Sequence, residues 1–212
     1  MRIFVFGDSI TYGNWDYEGG GWVNRLRNFL DTKSLVKHKF DYRLYNLGIS
    51  GDTSKDLLYR FEFEIKNRLK DNEESLVIIE IGINDSLFFQ DKKKLTTSPK
   101  IFRKNIQKLI KLSRKFTEKI IFVGPTSVVE SKVNPLPWRK EVSYKNGYIS
   151  KYNEVIKSVC KENKVFFIDI FAEWINLNYE ILLEDGVHPN SEGHKKIFEI
   201  VKESLINNKF ID

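Results

Sequence analysis

The sequence predicts a three-layer α/β/α fold built on a five-stranded parallel sheet, and three observations carry that expectation. Short apolar runs recur along the chain, most are continuous rather than alternating, and longer amphipathic segments lie between them. A strand covered on both faces needs apolar side chains at successive positions. Strands of that kind alternating with helices imply parallel pairing through right-handed crossovers. A flavodoxin-like strand order is expected.

The first run covers residues 3–6, Ile-Phe-Val-Phe, and the second residues 43–46. Residues 54–70 follow as a helix, with Leu57, Leu58, Phe61, Ile65 and Leu69 on one face. Thr53 and Asp56 stand at the spacing of a capping box at its start. The third run is 76–81, and Ile106, Leu109, Ile110 and Leu112 give residues 101–116 the same helical spacing. Runs at 120–123 and 165–168 complete the sheet. A last helix carries Ile197, Val201 and Leu205, with Asn190 or Ser191 able to cap it. Residues 86–98 and 127–146 read as long irregular connections, and loops of that length are often functional.

At 212 residues and 41% hydrophobic content, the chain has the size of one domain, expected to span 1–212. No segment approaches the roughly 20 apolar residues of a membrane-spanning helix, and Met1-Arg2 leads straight into a strand rather than into a signal peptide. The single cysteine, Cys160, offers neither a disulfide nor a thiolate metal site, so a reducing cytoplasm is the expected setting. A net charge of +6 raises the question of an anionic partner. Most lysines have acidic neighbours, and Lys92-Lys93-Lys94 is the dense run, which favours a solvated surface over a nucleic-acid or membrane face. Nothing in the sequence sets an oligomeric state.

In an open parallel sheet, ligands bind beyond the carboxyl ends of the strands. Four chemically distinctive segments fall there: Gly7-Asp8-Ser9, Ser50-Gly51-Asp52, Asn84-Asp85 and Asp185-Gly186-Val187-His188. Each alone is an ordinary turn or cap, but together they supply every part of an acyl-transfer site. A serine hydroxyl needs a neighbouring base, for which imidazole is the usual choice. Of three histidines, His38 lies at the amino end of the second strand and His194 on the last helix, expected to face solvent as a weak reserve, which leaves His188. Asp185, three residues earlier, is placed to orient the ring through Nδ1. The backbone N–H groups of Ser9 and Gly51 and the side-chain amide of Asn84 are candidate oxyanion donors.

These segments resemble the blocks of the SGNH (GDSL) hydrolase family: Ser9 in Gly7-Asp8-Ser9-Ile10, Gly51, Asn84 in Gly82-Ile83-Asn84-Asp85, and Asp185 with His188. The resemblance spans nearly the whole chain and implies a flavodoxin-like three-layer fold. It also implies hydrolysis through an acyl-enzyme without metal or other cofactor, and oxyanion donors at Ser9, Gly51 and Asn84. No Gly-x-Ser-x-Gly elbow favours the larger α/β-hydrolase family instead. The expected partner is a small-molecule ester, with short acyl or acetyl groups ahead of long-chain lipids. Thioesters, lysophospholipids and a non-catalytic ligand-binding role remain alternatives, because fold does not fix function. Trp15, Tyr17, Phe88, Phe89 and Trp138 could line the substrate pocket or could equally pack loops onto the sheet edge.

Overall fold

The computed structural model describes residues 1–36, 38 and 41–212, so Lys37 and Lys39, which flank His38 in the sequence, lie outside the described residues. In chain order these form β1 (Arg2–Gly7), α1 (Ser9–Tyr12), α2 (Trp22–Val36), β2 (Arg43–Gly48), α3 (Ser54–Lys66) and β3 (Ser75–Glu80). Next come β4 (Phe88–Phe89), β5 (Lys94–Leu95), α4 (Pro99–Ser113), β6 (Ile120–Val123), α5 (Glu130–Val133) and β7 (Val142–Ser143). The chain closes with α6 (Asn146–Asn163), β8 (Phe166–Ile168), α7 (Ile170–Ile175) and α8 (Ser191–Asn207).

The main sheet has five strands in the order β2-β1-β3-β6-β8, every pairing parallel. This is the flavodoxin-like order that the sequence predicts. The continuous apolar runs are explained by two cores, one on each face. Ile3, Val5, Leu76, Ile78, Ile121 and Val123 point toward α2 and α8, where they meet Trp22, Leu26, Leu30, Ile197, Val201 and Leu205. The intervening Phe4, Phe6, Val77, Ile79, Ile120 and Phe122 point the other way, against Leu57 and Phe61 of α3, Phe102 and Ile106 of α4, and Tyr152 and Ile156 of α6. Side chains alternate across a strand, so only a strand with helices on both sides can afford no polar position.

Helix boundaries follow local chemistry. Thr53 N–H donates to Asp56 Oδ2 at 3.0 Å, as the capping pattern predicts. The expected continuation of α3 to residue 70 does not occur: Asn67 closes the helix, its side chain donating to the Phe63 carbonyl at 2.6 Å. Ser98 caps α4, which starts two residues earlier than expected, with Pro99 in the first turn, where a missing N–H costs nothing. Asn190 caps α8 by accepting from Gly193 N at 3.0 Å.

The two stretches read as irregular are more ordered than expected. Phe88 pairs with both Leu95 and Ser143, and Phe89 with both Lys94 and Val142, giving a small antiparallel sheet in the order β5-β4-β7. This accessory sheet brings residues 86–98 and 127–146 together above the carboxyl end of the main sheet. Among the described residues, no helix is long and apolar enough to cross a membrane.

Candidate active site

Ser9 begins α1 directly after β1, where the chain turns sharply from strand to helix. Asp8 caps that turn, its Oδ1 accepting from Ile10 N at 3.0 Å. Gly7 makes the turn feasible, because a Cβ there would stand 2.0 Å from Thr11 Oγ1 and 2.5 Å from the Glu80 carbonyl. His188 Nε2 lies 2.9 Å from Ser9 Oγ, and His188 Nδ1 lies 2.7 Å from Asp185 Oδ2. The other carboxylate oxygen, Asp185 Oδ1, accepts from the backbone N–H groups of Val187 and His188, both at 2.9 Å. The Asp185-Gly186-Val187-His188 turn thus holds its own carboxylate and ring in register, with Gly186 at φ +92°. Burial alone would raise the Asp185 carboxyl, but the bonds from the His188 ring and backbone outweigh it and bring it down to about 2.

Asn84 opens a single turn after β3. Its Oδ1 accepts from the Tyr144 hydroxyl at 2.7 Å, and its Nδ2 faces the Asp52 carbonyl at 3.1 Å and Asp8 Oδ2 at 3.3 Å. Gly51 takes φ +87°, and a Cβ there would meet nothing within 4 Å. Arg60 braces this loop from below: its Nε donates to Asp52 Oδ2 at 2.7 Å and its Nη2 to the Gly7 carbonyl at 3.1 Å. The loop carrying Gly51 is therefore tied to the strand end that carries Ser9. Ser9, Gly51, Asn84 and His188 all line one cavity of about 510 Å³.

The floor of the site is acidic and buried. Burial drives the Asp8 carboxyl well above the carboxylate range, with the Glu80 charge adding to the effect. Glu80, fully buried and bonded to Thr11 Oγ1 at 2.8 Å, is pushed up to about 7 by loss of water. Asp85 is raised by burial against opposing bonds from Ser54 and Thr97, and it anchors the start of α3 by accepting from Ser54 N at 2.8 Å.

The expected pocket aromatics separate into two groups. Phe89 and Trp138 line the cavity, together with Leu87, Leu136, Arg139 and Tyr144. Phe88 instead packs on Tyr148 with ring centroids 5.4 Å apart, and Tyr17 is 76% exposed beside Trp15. Trp15 turns to Asp185, its Nε1 donating to Asp185 Oδ2 at 3.0 Å. Sequence reasoning missed Tyr144, because it stands in a segment without periodicity.

His194 corrects an expectation. Rather than facing solvent it is wholly buried, with Nε2 2.9 Å from the Asn14 carbonyl and Nδ1 accepting from Trp22 N at 3.3 Å. The physical reason is helical spacing: His194 stands three residues before Ile197 and seven before Val201, on the buried face of α8. Desolvation brings its ring down to about 4. It braces the loop that follows α1 and does not reach Ser9's hydroxyl, which His188 holds.

Comparison with known proteins gives one consistent result. The model of the GDSL-like lipase/acylhydrolase family matches residues 5–196. An arylesterase of Vibrio mimicus is 24% identical over 205 residues, covering 97% of this chain and 88% of its own. An acetylxylan esterase of Geobacillus stearothermophilus is 26% identical over 211 residues, covering 91% of this chain and 88% of its own. Among solved structures, a lipase/acylhydrolase of Enterococcus faecalis superimposes with a TM-score of 0.75 at 22% identity, covering 98% of this chain and 96% of that one.

Proposed function

The chain belongs to the GDSL-like lipase/acylhydrolase family, and from that premise we propose that it cleaves short-chain carboxylic esters through an acyl-enzyme on Ser9. One observation carries the reading: a continuous hydrogen-bonded line from Ser9 Oγ through both nitrogens of His188 to Asp185, at 2.9 and 2.7 Å. A hydroxyl is a weak nucleophile until a base accepts its proton, and the base must be neutral and correctly turned. Asp185, ionised at any working pH, keeps the proton on Nδ1 and leaves Nε2 free to accept.

In the first half-reaction, Ser9 Oγ attacks the ester carbon as its proton passes to His188 Nε2. Charge moves onto the carbonyl oxygen, where the N–H groups of Ser9 and Gly51 and the Asn84 amide meet it. Losing one such donor typically slows the chemistry about 10²–10³-fold. The tetrahedral adduct then collapses, and the departing alkoxide takes the proton from His188. In the second half, His188 takes a proton from water as that water attacks the acyl carbon. Collapse breaks the bond to Ser9 Oγ, returns the proton to it and frees the acid.

Short acyl groups suit the site. Its cavity of about 510 Å³ is lined on one side by Leu87, Phe89 and Leu136, and Trp138 on the rim is 57% exposed, a flat face for an aromatic or sugar alcohol. The arylesterase and acetylxylan esterase relatives point toward small acyl groups on such alcohols. The test is a series of p-nitrophenyl esters from acetate to decanoate with the wild type and Ser9→Ala. The reading expects kcat/KM to be highest for acetate or butyrate and abolished by the substitution. Equal rates in the two proteins would sink it, and a maximum at decanoate would sink the chain-length part.

A further inference from the structure

The three donors proposed to meet the oxyanion are held in different ways. Two are backbone N–H groups, whose direction the main chain fixes. The third, the Asn84 amide, sits on two rotatable bonds, and its two ends differ only in that one donates and the other accepts. A half-turn of the last bond would aim Oδ1 at an oxyanion and repel it. Something must choose the face.

The surroundings of Asn84 make that choice. The Asp52 carbonyl can only accept, so its position 3.1 Å from the amide requires Nδ2 on that side. Oδ1 then points to the opposite wall, where the Tyr144 hydroxyl donates to it at 2.7 Å. Tyr144 is 6% exposed, and burial raises its phenol far above the ordinary value, so the hydroxyl keeps its proton throughout the neutral range. Accepting that bond also draws electron density toward Oδ1 and makes the Nδ2 protons better donors.

Tyr144 reaches this place through the accessory sheet. It follows β7 directly, and its own N–H donates to the Val133 carbonyl at 3.2 Å. The strand before it pairs with β4, which stands four residues after Asn84. The two segments that leave the main sheet after β3 and β6 thus close on one another and deliver a hydroxyl to the side chain at the base of the first.

We infer that Tyr144 is a positioning residue of the oxyanion site, which holds the Asn84 amide with Oδ1 turned to its hydroxyl and Nδ2 on the side of Asp52 and of Asp8, the residue before Ser9. The inference rests on the ester-cleaving reading, because it gives Asn84 its work. It assigns the accessory sheet a role in the chemistry beyond forming a pocket wall.

The experiment is a double-mutant cycle on p-nitrophenyl acetate with Tyr144→Phe, Asn84→Ala and the pair. Tyr144→Phe keeps the ring and its packing and is expected to lower kcat about 10- to 100-fold, with KM within about twofold. In the Asn84→Ala background the same substitution should change kcat less than about twofold, because the amide it positions is gone. Equal losses in both backgrounds would overturn the inference. A second measurement needs no variant and no turnover: nuclear magnetic resonance of the wild type should show a slowly exchanging Tyr144 hydroxyl proton in contact with Asn84. A hydroxyl proton exchanging at the rate of a free tyrosine would overturn it equally. If the wild type cleaves no ester, the functional reading alone falls, and the hydroxyl proton still decides whether Tyr144 holds Asn84.

Discussion

Trp15 and His188 share one acceptor. The indole Nε1 lies 3.0 Å from Asp185 Oδ2, the oxygen that His188 Nδ1 reaches at 2.7 Å. The tryptophan therefore adds a second donor to the carboxylate oxygen that the ring uses, and its own backbone is left-handed, φ 67°. Such a conformation is uncommon for a large side chain and costs about 1–2 kcal/mol, so local contacts must repay it.

Trp15→Phe removes the donor and keeps most of the ring. A hydrogen bond to a charged but partly exposed group contributes about 1 kcal/mol, so kcat/KM should fall about fivefold. Steady-state kinetics on a short ester would measure it. An unchanged kcat/KM would show that Asp185 needs no support beyond its own turn.

Two buried groups, Glu80 and His194, predict opposite effects of pH on stability. Glu80 is raised from 4.5 to about 7 by burial, so the folded state holds its proton longer and stability falls as pH rises through that window. His194 is lowered from 6.5 to about 4 by burial, so its contribution is full above 6.5 and is lost as pH falls toward 4. Each shift amounts to roughly 3 kcal/mol. Relative to wild type, Glu80→Gln should gain stability as pH rises from 4.5 to 7, and His194→Asn should gain it as pH falls from 6.5 to 4. Denaturant unfolding at several pH values would measure both. Parallel curves for either variant would remove the corresponding assignment.

Two glycines, Gly7 at the end of β1 and Gly51 in the loop after β2, should respond differently to alanine. At Gly7 the new Cβ would overlap Thr11 Oγ1 and the Glu80 carbonyl, at 2.0 and 2.5 Å. The backbone there cannot retreat without moving Ser9, so a loss of about 3 kcal/mol or more is expected. At Gly51 there is open space and a positive φ of +87°, so Gly51→Ala should cost only about 1 kcal/mol. Thermal unfolding would rank them, and a Gly51→Ala protein less stable than Gly7→Ala would contradict the account.

How much of this was legible in the sequence depended on whether a physical constraint left a period. Phe4 and Phe6 face one core and Ile3 and Val5 the other, so β1 shows as an unbroken apolar run. Strands β4, β5 and β7 have two residues each, too few to show any alternation, and the accessory sheet stayed hidden. Leu69 continued the helical spacing of α3 without belonging to it, because Asn67 ends the helix and Leu69 packs from outside. His194 stood in register with Ile197 and Val201, and its burial could have been read from that spacing. Tyr144 left no such trace, because a contact between residues 60 positions apart is fixed by tertiary structure alone.

The proposed ester chemistry depends on Ser9 being a nucleophile activated by His188. Its most direct measurement is labelling with a fluorophosphonate, followed by mapping of the adduct by mass spectrometry. A single adduct on Ser9 is expected, absent from Ser9→Ala and formed far more slowly in His188→Asn. An unlabelled protein, or an adduct on Ser9 that forms equally fast without His188, would contradict it.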